Sequence, residues 1–231
     1  MRATMESPAN SADRATERAR RAYDRGAGFY DLRESLPEKL AFGKWRGDLW
    51  TLVPDGRVLE VGVGTGRNLK YYRDALDVTA IDFSPKMLSR ARDRARDVGS
   101  SAELILMDVQ ELEFPSAAFD SAVATFVFCS VPDPVRGLQE VQRVLKPGGR
   151  IYLLEHVLST NRILKWLMKR FNGISRATSG ANINRETVQN LELAGWNVLE
   201  VRDLWLDVVK MIVAEKAAAA AVPRPIDRSA T

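Results

Sequence analysis

The sequence predicts an α/β fold with a mostly parallel sheet and helices on both of its faces. Apolar, strand-like segments alternate with helix-like segments between residues 57 and 193, which is the pattern of repeated βαβ units. The first strand ends in closely spaced glycines, as a strand does when its backbone turns sharply into a loop. The last two strands have no helix between them, so we expect an antiparallel hairpin at one edge of the sheet.

The elements before residue 146 follow from apolar periodicity and from turn residues. Strands are predicted at Arg57–Val61, Val78–Asp82, Glu103–Met107 and Phe119–Phe126. Helices are predicted at Gly66–Arg73, Pro85–Val98 and Pro134–Leu145. The apolar residues of the second helix recur at a spacing of about 3.6 residues, so one face of this helix is expected to pack on the sheet.

The remaining elements complete the alternation. After the stop at Lys146-Pro-Gly-Gly, a fifth strand is predicted at Arg150–Glu155. A helix is predicted at Asn184–Leu193, where Asn184 would cap the first turn and Gly195 would follow the last. Two late strands, Trp196–Val201 and Asp207–Ala214, form the expected hairpin.

Length and composition indicate one globular domain. The chain has 231 residues, of which 45% are hydrophobic and 28% are charged, and its net charge is +4. We expect an N-terminal helical extension or lid at residues 1–35, a main domain at 36–215 with an insert at 157–183, and a disordered tail at 216–231. Because there is one cysteine and one histidine, neither an internal disulfide nor a cysteine-rich metal site is expected.

The sequence predicts a cytoplasmic protein. No uncharged apolar run approaches the ~20 residues needed to span a bilayer. The N-terminal residues lack the apolar core of a secretory signal. The basic segment described below adds an alternative, in which the protein attaches peripherally to the inner face of the membrane.

The loop after the first strand is the most informative motif. Gly62, Gly64 and Gly66 would let the backbone approach a ligand, and Glu60 beside them would attract a cationic amino-acid group rather than a pyrophosphate. Asp82 ends the second strand, where a carboxylate can accept hydrogen bonds from both hydroxyls of a ribose. Asp108 follows the third strand and can accept from an adenine amino group. The alternatives are a turn without a ligand, a helix-capping Asp82 and a solvated Asp108.

Four segments resemble the class I S-adenosylmethionine-dependent methyltransferases. They are LEVGVGTG (59–66), AIDFSPKML (80–88), LMDVQELEFPSAAFD (106–120) and LQEVQRVLKPGGRIYLLEH (138–156). The resemblance implies a seven-strand Rossmann-like sheet of order 3-2-1-4-5-7-6 with an antiparallel last strand. It also implies that S-adenosyl-L-methionine lies across the carboxyl ends of the strands. The expected cofactor-binding residues are Glu60, Gly62, Gly64, Thr65, Gly66, Asp82, Phe83, Met87, Asp108, Val109 and Phe126.

Three residues are candidates for catalysis. His156 follows the fifth strand and is either a general base or a packed residue bonded to a carbonyl. Tyr23 and Tyr30 lie in a segment, RRAYDRGAGFYD, that resembles the entry sequence of quinone-pathway and phospholipid methyltransferases. That resemblance makes them lid residues over the cofactor, and the alternative is an ordinary surface helix. Cys129 is expected to be a small core residue, since no basic neighbour lies beside it.

Residues 156–185 contain no acidic residue and are rich in Lys and Arg. Within them, 162–171 is amphipathic as a helix, with Ile163, Leu164, Leu167, Met168 and Phe171 on one face. A basic amphipathic helix that also carries Trp166 is typical of attachment to an anionic membrane surface. The alternative is a lid whose apolar face packs on the domain.

The predicted function is methyl transfer from S-adenosyl-L-methionine to a small amphiphilic or lipid-like acceptor. A quinone precursor or a phospholipid headgroup suits the apolar end of the fourth strand, and the Glu155-His156 pair resembles lipid- and quinone-directed members of the superfamily. One alternative is a soluble small-molecule methyltransferase with a lid that does not bind membranes. A nucleic-acid methyltransferase is the alternative of another class, but aromatic residues do not alternate with the basic ones, so no nucleic-acid partner is expected.

Overall fold

A computed structural model describes residues 16–21, 23–25, 41–166, 168, 170 and 185–217. The strands are β1 (Gly56–Val61), β2 (Leu76–Asp82), β3 (Glu103–Leu106), β4 (Phe119–Thr125), β5 (Leu145–His156), β6 (Trp196–Trp205) and β7 (Val209–Lys216). The labelled helices are α1 (Gly43–Leu52), α2 (Pro85–Val98), α3 (Pro134–Val144) and α4 (Thr187–Leu193). Residues 16–21, 23–25 and 162–166 are also helical.

The seven strands form one sheet of order β3-β2-β1-β4-β5-β7-β6, which confirms the predicted order. The pairs among β1 to β5 are parallel, whereas β7 runs antiparallel to both of its neighbours, β5 and β6. The chain order reverses between β1 and β4, which lie side by side. Crossover connections leave in opposite directions at such a point, so a crevice opens at the carboxyl ends of these two strands.

Each face of the sheet has its own apolar core. On one face, α3 and α4 cover a cluster that includes Leu59, Leu138 and Leu191. On the other face, α1 and α2 cover a cluster that includes Trp50, Val58 and Leu88. Because both faces are covered, the central strands are buried almost throughout, as is usual for a parallel sheet.

The two helices next to the crevice begin at capping residues that the sequence places after strand ends. The Ser84 hydroxyl accepts a hydrogen bond from the Met87 amide at 3.2 Å, and Pro85 opens α2. Asp133 caps α3 in the same way, accepting from the Arg136 amide at 3.0 Å. Both caps fix where a helix starts relative to the sheet edge.

The prediction of a helix at Gly66–Arg73 is wrong. This stretch forms turns and a short 3-10 segment, Leu69–Tyr71. The reason is tertiary: the buried side chain of Asn68 donates to Glu60 at 2.6 Å and to Thr125 at 3.0 Å, which anchors the chain against β1 and β4. A regular helix would have to give up these bonds between buried groups.

Other elements differ at their ends. β5 begins at Leu145 rather than Arg150, with a register shift opposite Phe119 that accommodates Pro147 and the two glycines. β6 continues to Trp205 rather than ending at Val201, and β7 runs from Val209 to Lys216 rather than from Asp207 to Ala214. Their pairing continues from Trp196↔Lys216 to Trp205↔Val209. α4 starts at Thr187, and Asn184, its expected cap, lies outside the described residues.

Candidate active site

A pocket occupies the crevice at the carboxyl ends of β1, β2 and β4. It encloses about 680 Å³ of space between side chains, part of which is open to solvent. Of the residues predicted to bind a cofactor, those that line it are Gly62, Gly64, Asp82, Phe83, Met87, Asp108, Val109 and Phe126. Glu60, Thr65 and Gly66 do not line it.

Two glycines keep the floor of the pocket free of side chains. Gly64 has φ +57°, and a Cβ atom there would meet nothing within 4 Å, so it would enter the ligand space. Gly62 has φ +69°, and a Cβ atom there would lie 2.5 Å from a methyl group of Val127. A side chain at Gly64 would therefore take up ligand space, whereas a side chain at Gly62 would clash with the loop after β4.

Asp82 holds the glycine loop against the end of β2. Its two carboxylate oxygens accept hydrogen bonds from the amides of Gly64 and Ser84, each at 2.8 Å. A carboxylate has about four acceptor sites, so Asp82 can also accept from a further donor, such as a hydroxyl group in the pocket. Burial raises the pKa of Asp82 to about 6, although the amide hydrogen bonds pull the pKa down. The carboxylate is therefore mostly ionised at neutral pH.

Glu60 lies in a buried polar cluster beneath the loop. Asn68 and the Tyr72 hydroxyl both donate to its carboxylate. Arg46 on α1 completes the cluster through hydrogen bonds to Asn68, at 3.0 Å, and to Thr125. Burial raises the pKa of Glu60 to about 7, against the opposing effect of Asn68 and the Arg46 charge. The structure thus gives Glu60 a role in ordering the loop, and its attraction for a ligand amino group stays a prediction.

Thr65 and Gly66 turn away from the pocket. The Thr65 carbonyl and hydroxyl oxygens accept hydrogen bonds from Arg94 of α2, at 2.7 and 3.1 Å. A Cβ atom on Gly66 would lie 2.5 Å from Leu69 and 3.2 Å from the backbone of Ala91. Both residues therefore fasten the loop to α2.

A mostly apolar slot lies between the ends of β2 and β3. Phe83, Met87 and Val109 line it, and Asp108 stands at its polar end. Gln110, which the sequence analysis missed, also lines the pocket: its amide nitrogen donates to Asp108 at 3.0 Å, and its amide oxygen accepts from the Asp133 backbone at 2.9 Å. In the sequence, the only sign that Gln110 lines the pocket is its position two residues after Asp108.

The loop after β4 forms the opposite wall and is held from below by Glu155. Phe126 sits at φ +60° and turns its ring into the pocket lining. A buried Glu155 oxygen accepts from the Val127 and Phe128 amides, at 2.8 and 2.9 Å. Burial raises the pKa of Glu155 to about 7, although these bonds lower the pKa. Glu155 therefore positions this loop.

His156 lies behind Phe126 and is not among the described residues that line the pocket. The two rings are tilted, with their centroids 4.6 Å apart, and Phe42 packs edge-on against His156 at 5.8 Å. Burial lowers the pKa of His156 to about 4, with a further contribution from the Arg46 charge. The imidazole is therefore neutral at physiological pH. Its role as a general base stays a prediction.

Tyr23 covers the pocket from the N-terminal side. Its ring meets Phe83 edge-on at 5.8 Å, and its hydroxyl is hydrogen-bonded to Ser130 on the opposite wall. The next residue, Asp24, accepts from the Ser84 hydroxyl at 2.6 Å. These contacts place the described part of residues 16–25 over the pocket, as a lid would lie. Tyr30 lies outside the described residues.

Cys129 is buried and lies outside the pocket lining. Burial raises the pKa of its thiol to about 12, helped by the nearby Glu155 charge. The thiol therefore stays protonated at neutral pH, in agreement with the core position expected from the sequence.

The groups in the pocket fit S-adenosyl-L-methionine. Gly64 presents bare backbone in a cradle that a side chain would fill, Asp82 has acceptor capacity for hydroxyl groups, and the apolar slot suits a flat aromatic base. These are three separate chemical requirements, and they occur along one crevice.

Comparisons with known proteins agree with this fit. Residues 59–153 match the family model described as a methyltransferase domain. A solved S-adenosylmethionine-dependent methyltransferase from Methanosarcina mazei superposes with a TM-score of 0.59 at 25% identity, over 71% of this chain and 94% of that one. Another from Thermotoga maritima gives 0.65 at 22% identity, over 85% and 99%, and supports the fold alone. The chain therefore contains a methyltransferase domain of the S-adenosylmethionine-dependent kind, and the cofactor that these comparisons imply is S-adenosyl-L-methionine.

Curated relatives divide among several acceptors. The chain is 47% identical over 103 residues to a phosphatidylethanolamine N-methyltransferase from Cereibacter sphaeroides, covering 44% of this chain and 51% of the relative. It is 37% identical over 164 residues to a demethylmenaquinone methyltransferase from Thermotoga maritima, covering 67% and 66%. It is 31% identical to a thiol S-methyltransferase from Rattus norvegicus, covering 62% and 61%. The chain thus spans about half to two thirds of the length of these relatives.

The first prediction concerns Asp82. Asp82→Asn should weaken binding of S-adenosylhomocysteine by about tenfold to hundredfold, because hydrogen bonds to a charged acceptor contribute about 1.5–3 kcal/mol. In the parent, affinity should increase as the pH rises through about 6, where Asp82 loses its proton. The variant should lack this increase. Titration calorimetry at several pH values measures both effects. Asp77→Asn, on the same strand but exposed, is the control, and equal affinities for parent and Asp82→Asn would refute the role.

The second prediction separates ligand space from backbone strain at Gly64. Gly64→Val should abolish detectable binding of S-adenosylhomocysteine, because the side chain would occupy the cradle. Gly99→Val is the matched control, since Gly99 also has positive φ and open space around its Cβ position but caps α2 away from the pocket. Both variants should lose a similar ~1–2 kcal/mol of stability. If both lost ligand binding equally, the cradle would not be the cause.

The third prediction concerns the buried acid Glu60. Its pKa is higher in the folded protein than the ordinary 4.5, so its contribution to stability is present below about 4.5 and is lost as the pH rises through about 7. Glu60→Gln should remove this dependence. The free energy of unfolding of the parent should fall relative to the variant by on the order of 1–3 kcal/mol across that window. Urea unfolding at several pH values measures it, with exposed Glu103→Gln as a control that should follow the parent.

Proposed function

We propose that this protein transfers the methyl group of S-adenosyl-L-methionine to a small amphiphilic or lipid-like acceptor, with a phospholipid headgroup or a quinone precursor as the two candidates. The observation that carries the proposal is the wall opposite the glycine loop. Phe126, Val127, Val131 and Pro132 form it, and its polar side chain in the lining is Ser130. An apolar wall beside the reacting end of the pocket suits an acceptor with a large apolar part.

The ionisable groups of the lining suit a direct displacement. S-adenosyl-L-methionine, when bound, supplies a methyl group on a positively charged sulfur. The protein then has to hold the acceptor in line and keep water out. Tyr23, Asp82 and Asp108 are the ionisable side chains among the described lining residues, and Asp82 is engaged by the loop amides. The acceptor therefore brings its own lone pair or electron-rich carbon.

The names of the relatives support this class of acceptor. The phosphatidylethanolamine and demethylmenaquinone methyltransferases act, by their names, on molecules that combine a polar reacting group with an apolar body. The name of the thiol S-methyltransferase relative supports the alternative of a soluble small-molecule acceptor. Because this chain spans only part of each relative, the acceptor is a proposal for experiment.

Tyr23 and His156 have distinct places in this proposal. Tyr23 closes the pocket over Phe83 and, through Ser130, joins the lid to the acceptor wall. The neutral His156 ring supports Phe126 from behind, which favours a positioning role over proton transfer. We also propose Tyr30 as a second lid residue, on the basis of the sequence resemblance alone.

A membrane surface is the proposed source of the acceptor. Residues 162–171 would face an anionic bilayer, and the protein would attach to it peripherally from the cytoplasmic side. No helix among the described residues has the length and apolar character needed to cross a membrane. Part of the apolar face of 162–171 contributes to the fold instead: Leu164 and Met168 pack against the core that contains Trp50 and Val58.

The fourth prediction tests the acceptor. The full chain, supplied with S-adenosylmethionine labelled in its methyl group, should transfer label to phosphatidylethanolamine in vesicles or to a demethylated menaquinone in detergent. The two acceptor arms distinguish headgroup from quinone chemistry. A small water-soluble thiol and a small amine serve as comparison substrates. Extraction into organic solvent followed by mass spectrometry identifies the methylated product.

Gly64→Val is the control for that assay, because it should bind no cofactor and transfer no label. The proposal predicts a lipid or quinone product that depends on Gly64. Label found only on the thiol or the amine would replace it with the soluble small-molecule alternative. In that case the lining of the pocket would still describe the cofactor site, and only the acceptor class would change.

A further inference from the structure

Four large apolar side chains stand exposed on two neighbouring segments. Ile163 and Trp166 belong to the helical residues 162–166 and are 74% and 64% exposed. Trp205 ends β6 and Leu206 begins the turn to β7, and they are 57% and 64% exposed. We call these four residues the turn–helix surface. Exposed single apolar residues are common, but two tryptophans beside an isoleucine and a leucine need an explanation.

One carboxylate holds the two segments together. Asp207 follows Leu206 in the chain. It accepts hydrogen bonds from the Ser159 hydroxyl and from the Thr160 hydroxyl, each at 2.6 Å. Asn161, next along the chain, caps the helix by accepting from the Ile163 amide at 3.0 Å. These hydrogen bonds hold the pKa of Asp207 well below its usual range, so it is charged at neutral pH. The turn and the start of the helix are therefore one structural unit.

The outward position of this surface is not the result of a detached helix. Leu164, Met168 and Leu204 lie on the inner side of the same segments and pack against the core. The inner face is thus satisfied by the fold itself. Ile163, Trp166, Trp205 and Leu206 remain on the outer side, with no described part of the chain covering them.

Basic side chains flank the turn–helix surface. Arg162 and Arg170 are exposed, and Lys165 is partly exposed with its ammonium group 4.0 Å from Glu186. The acidic residues nearby are engaged locally: Asp207 in the bonds above, and Asp203 with Lys210. Asp207 keeps its negative charge, because its partners are neutral hydroxyls, but Arg162 and Arg170 outnumber it, so the net charge beside the tryptophans is positive.

This surface lies at the same edge of the sheet as the pocket. β7 begins at Val209, which pairs with His156 at the carboxyl end of β5, so the turn before β7 projects beyond that end. The strand β5 adjoins β4, whose carboxyl end carries the apolar wall of the pocket. The chain after β5 is also tied to that wall, since Leu158 bonds to Arg185, whose guanidinium donates to the Val131 carbonyl at 2.6 Å.

We propose that the turn–helix surface docks on an anionic phospholipid bilayer, with Trp205 and Leu206 entering the headgroup region beside Ile163 and Trp166. Tryptophan favours the boundary between lipid and water, and basic residues beside it add attraction to anionic lipid. This docking rests on the proposed function, since it would serve to bring the apolar wall of the pocket next to a lipid acceptor. It adds a second segment, the β6–β7 turn, to the basic helix.

The first experiment measures co-sedimentation of the full chain with vesicles of phosphatidylcholine, with and without phosphatidylglycerol. Trp205→Ser with Leu206→Ser should weaken binding to the anionic vesicles by at least about tenfold, since each large apolar side chain that leaves water contributes on the order of 1 kcal/mol or more. Leu193→Ser with Leu199→Ser is the matched control. These leucines are 64% and 46% exposed but lie towards the opposite end of β6, so binding should not change.

Salt separates the two parts of the surface. Arg162→Glu with Arg170→Glu should weaken binding at low salt, and the difference from the parent should shrink at 1 M salt, where the Debye length is about 3 Å. The loss caused by the Trp205 and Leu206 substitutions should persist at both salt concentrations, because apolar burial is not screened. A turn variant that binds like the parent under both conditions would overturn the proposal.

Substitution of Asp207 is a test in which electrostatic attraction to the lipid and the tie between the turn and the helix predict opposite changes in binding. Asp207→Ala removes a negative charge beside anionic lipid, which alone would strengthen binding by about fivefold. If the turn and the helix must be held together, binding should instead become weaker than in the parent. Stronger binding would show that the two segments act separately, and the composite surface would be rejected.

Two further measurements keep this inference apart from the proposed function. Sedimentation velocity without lipid shows whether the turn substitutions convert a dimer into a monomer, and such a change with unaltered vesicle binding would assign the surface to a second copy of the chain. Calorimetry with S-adenosylhomocysteine should give the parent affinity for every variant here. Docking without methyl transfer to either the phospholipid or the quinone would refute the acceptor proposal alone, and transfer without docking would refute the surface alone.

Discussion

The hydrogen bonds from the amides of Gly64 and Ser84 to the Asp82 carboxylate are the constraint on which the site depends. They join the loop after β1, the end of β2 and the start of α2 at one buried group. The Ser84 hydroxyl then reaches Asp24, so the segment over the pocket rests on the same point. Because Asp82 is almost fully buried, the bonds act in a medium of low polarity, where the loss of any one leaves an unpaired group.

Three buried acids lie under the edge of the sheet and support the two loops that line the pocket. Glu60 orders Asn68 beneath the glycine loop, Asp82 holds the loop itself, and Glu155 holds the amides after β4. Burial raises the pKa of all three, so ionising them costs folding free energy at neutral pH. Stability is thus lower than it would be with apolar residues at these places, and the gain is a preorganised pocket. The large apolar cores on both faces of the sheet offset this cost.

The relation between the pocket and the outer surface follows from the strand order. β7 enters the sheet between β5 and β6 and runs antiparallel to both, so the turn that precedes it is at the carboxyl edge. That edge also carries the crevice. The same topology therefore places the turn–helix surface and the apolar wall of the pocket on one side of the molecule, where a single approach by a lipid surface would involve both.

The sequence by itself determined the alternation of strands and helices, the glycine loop and the acids at strand ends, because these depend on local periodicity and on residues with special backbone needs. It also determined the helix starts at Pro85 and Pro134, since the residues that begin a helix act locally. The tertiary structure decided matters that depend on partners distant in the chain. Asn68 bonds to Glu60 and Thr125 instead of forming part of the predicted helix. His156 lies behind Phe126. Leu164 and Met168 pack against the core, whereas Trp166 is exposed. Periodicity shows which residues of a helix share a face, but what covers that face is set by elements elsewhere in the chain, and only their packing decides it.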